Sequence, residues 1–272
     1  VVIDVPATSQ VHHQVVRKEL DARDIDLDPV VRLHFVAVAE PDMDDPVADL
    51  ERLYVALERE WELADLTCDP TALRRLQPAL RGGEWSVTVA VRGGDEIVGI
   101  WPRFINTAYG MAVDVGSTTI AAHLCDLSTG KVAASAGLMN PQIRFGEDLM
   151  SRVSYVMMNP GGDQQLTAVV RDAIATLATD VCGAAGVSPT DVLEVTLVGN
   201  PVMHHLLLGI DPTPLGTAPF ALATERATTL PARQLDLGVH PGARAYLLPC
   251  IAGHVGADTA GMLLAEAPYR DE

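Results

Sequence analysis

Apolar positions in the first 108 residues alternate between the periods of strands and helices. Residues 30–38 are rich in β-branched side chains, which is typical of a strand. Two amphipathic helices are predicted next, because apolar residues recur at three- and four-residue spacing after Asp45-Pro46 and again after Asp69-Pro70. An Asp followed by Pro is a helix start signal. Residues 85–101 then alternate around Gly93-Gly94-Asp95, which predicts a hairpin.

From residue 109 the chain is richer in Ala, Gly and Thr and poorer in charge. Three apolar runs, at residues 111–115, 120–126 and 132–136, predict a meander of antiparallel strands whose first turn reads Gly-Ser-Thr-Thr. We interpret Met150, Met157 and Met158 as core residues, since methionine fills irregular gaps. The other predicted elements are a helix over residues 165–184, a strand over 192–198, a helix over 201–208, a loop-rich segment over 209–245, a strand over 246–248 and a helix over 256–264.

This succession of strands and helices predicts an α/β protein of more than one domain. A length of 272 residues favours about two domains. We predict a linker over residues 1–28, where no clear period exists, a small α+β domain over residues 29–108 and an α/β domain over residues 109–272.

Charge and cysteine content restrict the class of protein. The chain has 19 Lys and Arg against 36 Asp and Glu, a net charge of −17, which argues against binding to nucleic acid or to an anionic membrane. Cys68, Cys125, Cys182 and Cys250 are widely separated, which argues against a zinc or iron–sulfur site on this chain. Scattered single cysteines are typical of reduced thiols, so we expect a cytoplasmic protein. No apolar run is long enough for a transmembrane helix.

The first turn of the meander is the best candidate for a ligand-binding or catalytic site. Asp114 lies near the end of an apolar strand, and Gly116 follows it with Ser117, Thr118 and Thr119. Backbone N–H groups of such a loop can form a concavity for a phosphate, and a carboxylate beside it can hold Mg²⁺ directly or through water. A plain hairpin turn, with Asp114 capping the loop amides, is the alternative.

Two further sites have both a functional and a structural interpretation. Gly199-Asn200 lies where a strand passes into a helix, a place that suits a phosphate, but Asn200 can equally be the N-cap before Pro201. His204 and His205 are adjacent on that helix, so they point in different directions, and we expect structural or surface roles rather than a metal site.

The strand–loop–strand around Asp114 resembles the first phosphate motif of the actin-like ATPase superfamily. Three other runs, at residues 140–148, 197–212 and 251–259, resemble the reductive activators of corrinoid proteins: NPQIRFGED, LVGNPVMHHLLLGIDP and IAGHVGADT. This resemblance implies a ribonuclease-H-like subdomain of an actin-like ATPase, preceded by a small middle domain and a linker.

The resemblance also implies a set of cofactors and residue roles. ATP and Mg²⁺ would bind, with Asp114 orienting the metal or its water and Asp258 placing a metal-bound or attacking water. The loop of Gly116, Ser117, Thr118 and Thr119 and the pair Gly199 and Asn200 would contact the phosphates. The activity implied is ATP-dependent reduction of a corrinoid protein from Co(II) to Co(I), so the partner would be a corrinoid protein.

Parts of the implied protein are not found in this chain. The cysteine motif of the family's [2Fe–2S] domain is absent, so the electrons would come from a cluster that this chain does not bind. A second Asp-x-Gly-Thr phosphate motif is expected after residue 272. We therefore expect a piece of a longer protein, with the first half of the ATPase domain at residues 109–272, which alone binds nucleotide weakly or not at all.

Two alternative functions stay open at this point. One is a small-molecule kinase of the actin-like superfamily, and the other is a non-catalytic docking or dimerisation module that would form a homodimer. Arg144 and Asp148 follow the meander and can pair with each other or contribute to a nucleotide or partner surface.

Overall fold

The computed structural model of the chain describes residues 27–266, which form two β-sheets with helices packed against them. The first sheet has four strands in the order β1-β3-β4-β2. Its β3 and β4 form the predicted hairpin. The elements of this unit are β1 (Val31–Ala37), α1 (Asp49–Trp61), β2 (Thr67–Cys68), α2 (Pro70–Gly82), β3 (Ser86–Arg92) and β4 (Glu96–Pro102).

The second sheet has six strands in the order β7-β6-β5-β8-β10-β9. Its β5, β6 and β7 are the predicted antiparallel meander, while β5, β8 and β10 run parallel to one another. The elements of this unit are β5 (Tyr109–Val115), β6 (Thr119–Asp126), β7 (Val132–Met139), α3 (Leu149–Met158), α4 (Gly162–Ala185), β8 (Val192–Gly199), α5 (Pro201–Leu208), β9 (Thr228–Pro231), β10 (Arg244–Leu247) and α6 (Ala257–Glu266).

The two predicted helix starts had different outcomes. Asp69 caps α2 and accepts a hydrogen bond from the Thr71 backbone N–H at 2.7 Å, as the sequence predicts. The start at Asp45-Pro46 was wrong, because α1 begins only at Asp49. The reason is Arg52, whose guanidinium bonds the carbonyl oxygens of Asp45 and Val47, so these groups do not accept from helix amides.

One face of the six-stranded sheet carries the main core. Helices α4 and α5 cover this face, and α4 buries the apolar side that the sequence predicts, including Leu166, Val170 and Leu177. The three methionines expected in the core are instead exposed, Met150 by 47%, Met157 by 57% and Met158 by 74%. They lie at or near the ends of α3, a short helix that the apolar pattern did not predict, where the sheet is already covered by α4. The four cysteines are free thiols.

Buried ion pairs join the two sheets. Arg92 on β3 makes a bidentate ion pair with Glu194 on β8, at 2.8 and 3.0 Å. Arg244 on β10 donates to Asp69 at 2.9 Å and also to Glu96. A small apolar cluster at the same junction contains Val31, Ala90, Val98, Ala108 and Leu193. The two sheets are therefore fixed against each other by charge pairing as well as by apolar contact.

Among the described residues, no helix combines the length and the apolar character that crossing a membrane requires.

Candidate functional site

Three chain turns meet at one end of the six-stranded sheet. Strands β5 and β8 are parallel neighbours, and their last residues, Val115 and Gly199, are paired in register. The carboxyl ends of adjacent parallel strands are where α/β sheets hold ligands. Helix α6 also begins here, directly after Gly256. The Gly256 backbone lies so close to the turn after β8 that an added Cβ atom would be 2.5 Å from the Asn200 Cα and from the Gly199 carbonyl oxygen. Only glycine allows this close approach, which brings the start of α6 to the ends of β5 and β8.

The loop after β5 has the orientation that an anion requires. The carbonyl oxygens of Gly116, Ser117 and Thr118 all accept hydrogen bonds from buried residues. Gly116 O accepts from the Asn140 side chain at 2.8 Å, and Ser117 O accepts from Arg152. Thr118 O accepts from the Asn140 backbone N–H at 2.8 Å. In a planar trans peptide the N–H points opposite to the C=O. The N–H groups of Ser117 and Thr118 therefore point away from the interior, as the predicted phosphate cradle demands.

Gly116 is required by the tight turn itself. A Cβ atom at this position would lie 2.5 Å from the Thr119 carbonyl oxygen, closer than real side chains come. Any larger residue would therefore shift the loop that Ser117 and Thr118 occupy.

Asp114 and Asp258 lie on the same face of the sheet. Asp114 is paired in register with Val198, against which α6 packs through Gly261. Partial desolvation and the negative charge of Asp258 raise the pKa of Asp114, and His123 opposes this shift. Two carboxylates that repel each other beside a predicted phosphate loop are typical donors for Mg²⁺, which keeps several waters and takes one or two carboxylates. The residues present therefore fit the predicted metal.

His123 is a neighbour of this site that the sequence did not single out. It lies on β6 opposite Ala112, on the face that also holds Asp114, and contacts the Ser135 hydroxyl at 2.7 Å. Burial lowers the pKa of His123, and the charge of Asp114 raises it. Side chains along a strand point alternately to the two faces of the sheet, and this alternation along β6 could have placed His123 beside Asp114.

The structural interpretation of Asn200 is confirmed. Its side chain caps α5 by accepting a hydrogen bond from the Met203 backbone N–H at 3.0 Å, with Pro201 at the first helical position. This cap fixes the turn that packs against Gly256. Contact of Gly199 and Asn200 with a phosphate stays a prediction, and the two roles are compatible.

Both histidines of α5 have structural positions. His205 is buried, its Nδ1 lies 2.8 Å from the Pro201 carbonyl oxygen, and its Nε2 accepts the Ala223 backbone N–H at 3.0 Å. His204 is also buried, but neither of its ring nitrogens has a hydrogen-bond partner among the described residues. It borders a cavity of about 10 Å³ lined by Val115, Gly199 and Met203. Burial first, and His205 second, lower the pKa of His204 to about 4.

His204 makes the fold sensitive to acid. The ring titrates at about 6.5 when unfolded and at about 4 when folded, so the unfolded chain binds the proton first. The stabilisation is complete above pH 6.5 and is lost as the pH falls toward 4, by up to about 3 kcal/mol. We expect H204L to flatten the pH dependence of the unfolding free energy in this window, measured by urea titration. The exposed His254 is the control, and the prediction is wrong if H204L and H254Q have the same pH slope.

Arg144 and Asp148 do not pair with each other. Asp148 caps α3 by accepting the Ser151 backbone N–H at 2.7 Å, and this bond is the main cause of its lowered pKa. The Arg144 guanidinium lies 4.7 Å from the centre of the Phe145 ring. A nucleotide or partner role for either residue stays a prediction.

The residues that hold the loop from inside were missed by sequence reasoning. Arg152, Asn140 and Gln142 are all fully buried and join the loop to α3 and α4. Arg152 lies on the helix that was not predicted. The sequence did contain a start signal for this helix, because Asp148 and Ser151 have the spacing of an N-cap and the residue whose N–H it accepts.

The four cysteines do not fit an iron–sulfur cluster. No three His, Cys, Asp or Glu side chains in the part of the chain that the structure describes lie together as a metal site, and all four cysteines belong to that part. The [2Fe–2S] group of the resemblance has no site among these residues.

Comparisons with known proteins point to one family. A family model described as the RACo middle region matches residues 109–270, and a model described as the RACo linker region matches residues 20–107. The corrinoid activation enzyme RamQ of Eubacterium limosum is 32% identical over 156 residues, which cover 57% of this chain and 26% of that protein. A solved structure titled reductive activator for corrinoid, iron-sulfur protein has a TM-score of 0.83 and 31% identity, covering 98% of this chain and 45% of that chain.

The chain therefore spans less than half the length of either relative. The structural match confirms the predicted fold class, a ribonuclease-H-like subdomain of the actin-like type preceded by a small α+β domain. Since the middle-region model alone covers more than half of the residues, the chain belongs to the RACo family of reductive activators of corrinoid proteins.

Proposed function

We propose that the protein carrying this chain reductively activates a corrinoid protein and that ATP, bound at the loop after β5, drives the reaction. The corrinoid substrate class is supported by the names of the two relatives. Nucleotide binding is supported by one observation. The turn after β5, the turn after β8 and the start of α6 converge, and they bring Asp114 and Asp258 beside a loop whose carbonyls all face inward.

The chain's own residues have distinct parts in this proposal. The outward N–H groups of Ser117 and Thr118 bind the terminal phosphates, and Gly116 keeps the loop tight enough for them to converge. Asp114 and Asp258 hold Mg²⁺, directly or through its waters, and the metal when bound neutralises phosphate charge. Asp258, at the first turn of α6, also orients the water that attacks the phosphate.

Nucleotide turnover has to be coupled to electron transfer through a change of state. Each cycle adds one electron to Co(II) and yields Co(I), and a low-potential one-electron donor outside the described residues is oxidised. ATP is hydrolysed by water to ADP and phosphate and does not contribute the electron. ATP can favour the transfer only if the corrinoid protein binds the nucleotide-bound and nucleotide-free states with different affinity.

The experiment uses the intact protein, a corrinoid protein in the Co(II) state and titanium(III) citrate as the electron donor. We expect the electron paramagnetic resonance signal of Co(II) to disappear, and the absorption of Co(I) to appear, only when ATP and Mg²⁺ are both present. An equal Co(I) yield without ATP would contradict the nucleotide part of the proposal. Transfer of the phosphate to a small acceptor would identify a kinase, and corrinoid-protein binding without nucleotide affinity would identify a docking module.

A further inference from the structure

Arg152 is a buried charge that forms no ion pair among the described residues. The residue is fully buried on α3, and its guanidinium donates to Gly146 O at 3.0 Å, Gln142 Oε1 at 3.1 Å and Ser117 O. No carboxylate among the described residues forms an ion pair with it. The exposed Asp148, at the N-cap of α3, attracts it electrostatically but does not bond to it. Burial lowers the pKa of Arg152 to about 10, so it stays protonated at neutral pH. Buried charges are normally paired, so this one calls for an explanation.

The position of this charge is fixed by its neighbours. Gln142 donates from Nε2 to the Leu166 carbonyl at 2.8 Å, which orients its Oε1 toward Arg152. Asn140 bonds both Gly116 and Thr118 from the same side as Arg152 bonds Ser117. The guanidinium is therefore held beneath the loop, on the side opposite to the outward N–H groups.

This arrangement suits a polyanion on the outer side of the loop. The bond to Ser117 O orients the Thr118 N–H outward, because the two groups belong to one planar peptide. The charge itself acts through the loop in an interior of low dielectric, where it is weakly screened. A phosphate on the loop is then the counter-charge that the protein interior does not provide.

We propose that Arg152 is a positioning residue that raises the affinity of the loop for nucleotide phosphates, through its hydrogen bond to Ser117 and through a charge that no ion pair neutralises, without touching the ligand. The proposal rests on the proposed nucleotide site and names a determinant of its phosphate affinity.

The first test changes the charge and keeps the arginine. In Q142E a carboxylate replaces the amide oxygen that already accepts from Arg152, which supplies the missing counter-ion inside the fold. We expect Mg²⁺-ADP to bind the intact protein at least about 10-fold more weakly, measured by calorimetry. Glutamate loses the hydrogen bond from Gln142 Nε2 to the Leu166 carbonyl, so the unfolding midpoint is expected to fall, and a cooperative unfolding transition checks that the variant is folded. The control is Q165E, the same charge change at an exposed position of α4, where the oxygen still accepts from the Tyr155 hydroxyl. If Arg152 has only a structural role, Q142E and Q165E should bind ADP with equal affinity.

The second test removes the arginine. We expect R152M to weaken Mg²⁺-ADP binding at least about 10-fold and R152K to recover part of the loss, because lysine keeps the charge but not the planar fork. The control is R171M, since Arg171 also donates to backbone carbonyls, of Leu207 at 2.9 Å and Gln234 at 3.4 Å, but lies away from the loop. If R152M does not fold, Q142E and Q165E decide the question.

The outcomes separate this inference from the proposed function. Wild-type affinity in Q142E or in folded R152M would overturn the role of Arg152 and leave the nucleotide site intact. Equal losses of Mg²⁺-ADP affinity in R152M and R152K would overturn the role assigned to the charge of Arg152. Absence of Mg²⁺-ADP and Mg²⁺-ATP binding by the wild-type protein would overturn the nucleotide site and this inference with it.

Discussion

Replacing Asp114 by asparagine is expected to lower the rate of ATP hydrolysis by the intact protein at least about 100-fold. The side chain is exposed at the end of β5, so its loss leaves the core untouched. Asparagine keeps the shape but removes the negative charge to which the proposed mechanism assigns metal binding. The measurement is the steady-state rate of phosphate release with ATP and Mg²⁺, with the unfolding midpoint as the check on folding.

The same pair of strands offers a matched control. Asp126 lies at the far end of β6, paired in register with Tyr109, and its carboxylate accepts hydrogen bonds from Ser128 in the next turn. D126N makes the same chemical change away from the site and is expected to retain the wild-type rate. Comparable rates in D114N and D126N would remove Asp114 from the proposed mechanism.

Replacing Arg244 by methionine is expected to lower the free energy of unfolding by about 3–5 kcal/mol, measured by urea denaturation. Its guanidinium joins Asp69 of the first sheet's unit to the second sheet, and the Asp69 side chain is only 1% exposed. Methionine fills the volume but leaves Asp69 with Arg233 and leaves Glu96 without this partner. Asp69 would lose its buried partner and keep only Arg233, whose side chain is 39% exposed, and the loss of a buried ion-pair partner is among the most destabilising changes a fold can undergo.

An exposed ion pair is the control for this variant. Arg103 and Glu84 pair at 2.9 Å with side chains 68% and 82% exposed, so R103M should cost less than about 1 kcal/mol. Similar losses in R103M and R244M would mean that burial of the pair does not matter.

Acid stability gives an independent check on Asp69. Burial alone would raise its pKa, but hydrogen bonds from Thr71 and Arg244 hold it down to about 2, against 3.8 in the unfolded chain. Its contribution is therefore present above about pH 4 and is lost as the pH falls toward 2. In R244M this part of the acid transition should become shallower.

Local patterns predicted the elements that depend on neighbours within one turn or one strand. The hairpin after α2, the meander and helices α4 and α5 follow their apolar periods closely. The motif around Asp114 was also visible, because the strand, the glycine and the hydroxyl residues are contiguous in the chain. The division into residues 1–28, 29–108 and 109–272 stays a prediction.

The start of α1 and the exposure of the α3 methionines were not decided by local pattern. A helix start signal competes with any side chain that reaches the same carbonyls, as Arg52 does near Asp45. An apolar residue is buried only where a neighbouring surface is available. The main core is filled by residues of the sheet, α4 and α5, and Met157 does not belong to it. Both outcomes depend on contacts that a periodicity does not contain.

The sequence by itself determined the type of most elements and the motif predicted to bind phosphate, since both arise from residues close together in the chain. Only the tertiary structure decided that Arg152 lies beneath Ser117, 35 residues earlier in the chain, and that Asp258 lies near enough to Asp114 to raise its pKa. Those contacts require the parallel pairing of β5 with β8 and the packing of α6 on Gly199 and Asn200. Strand order is set by the burial of whole faces, and residue spacing does not encode it.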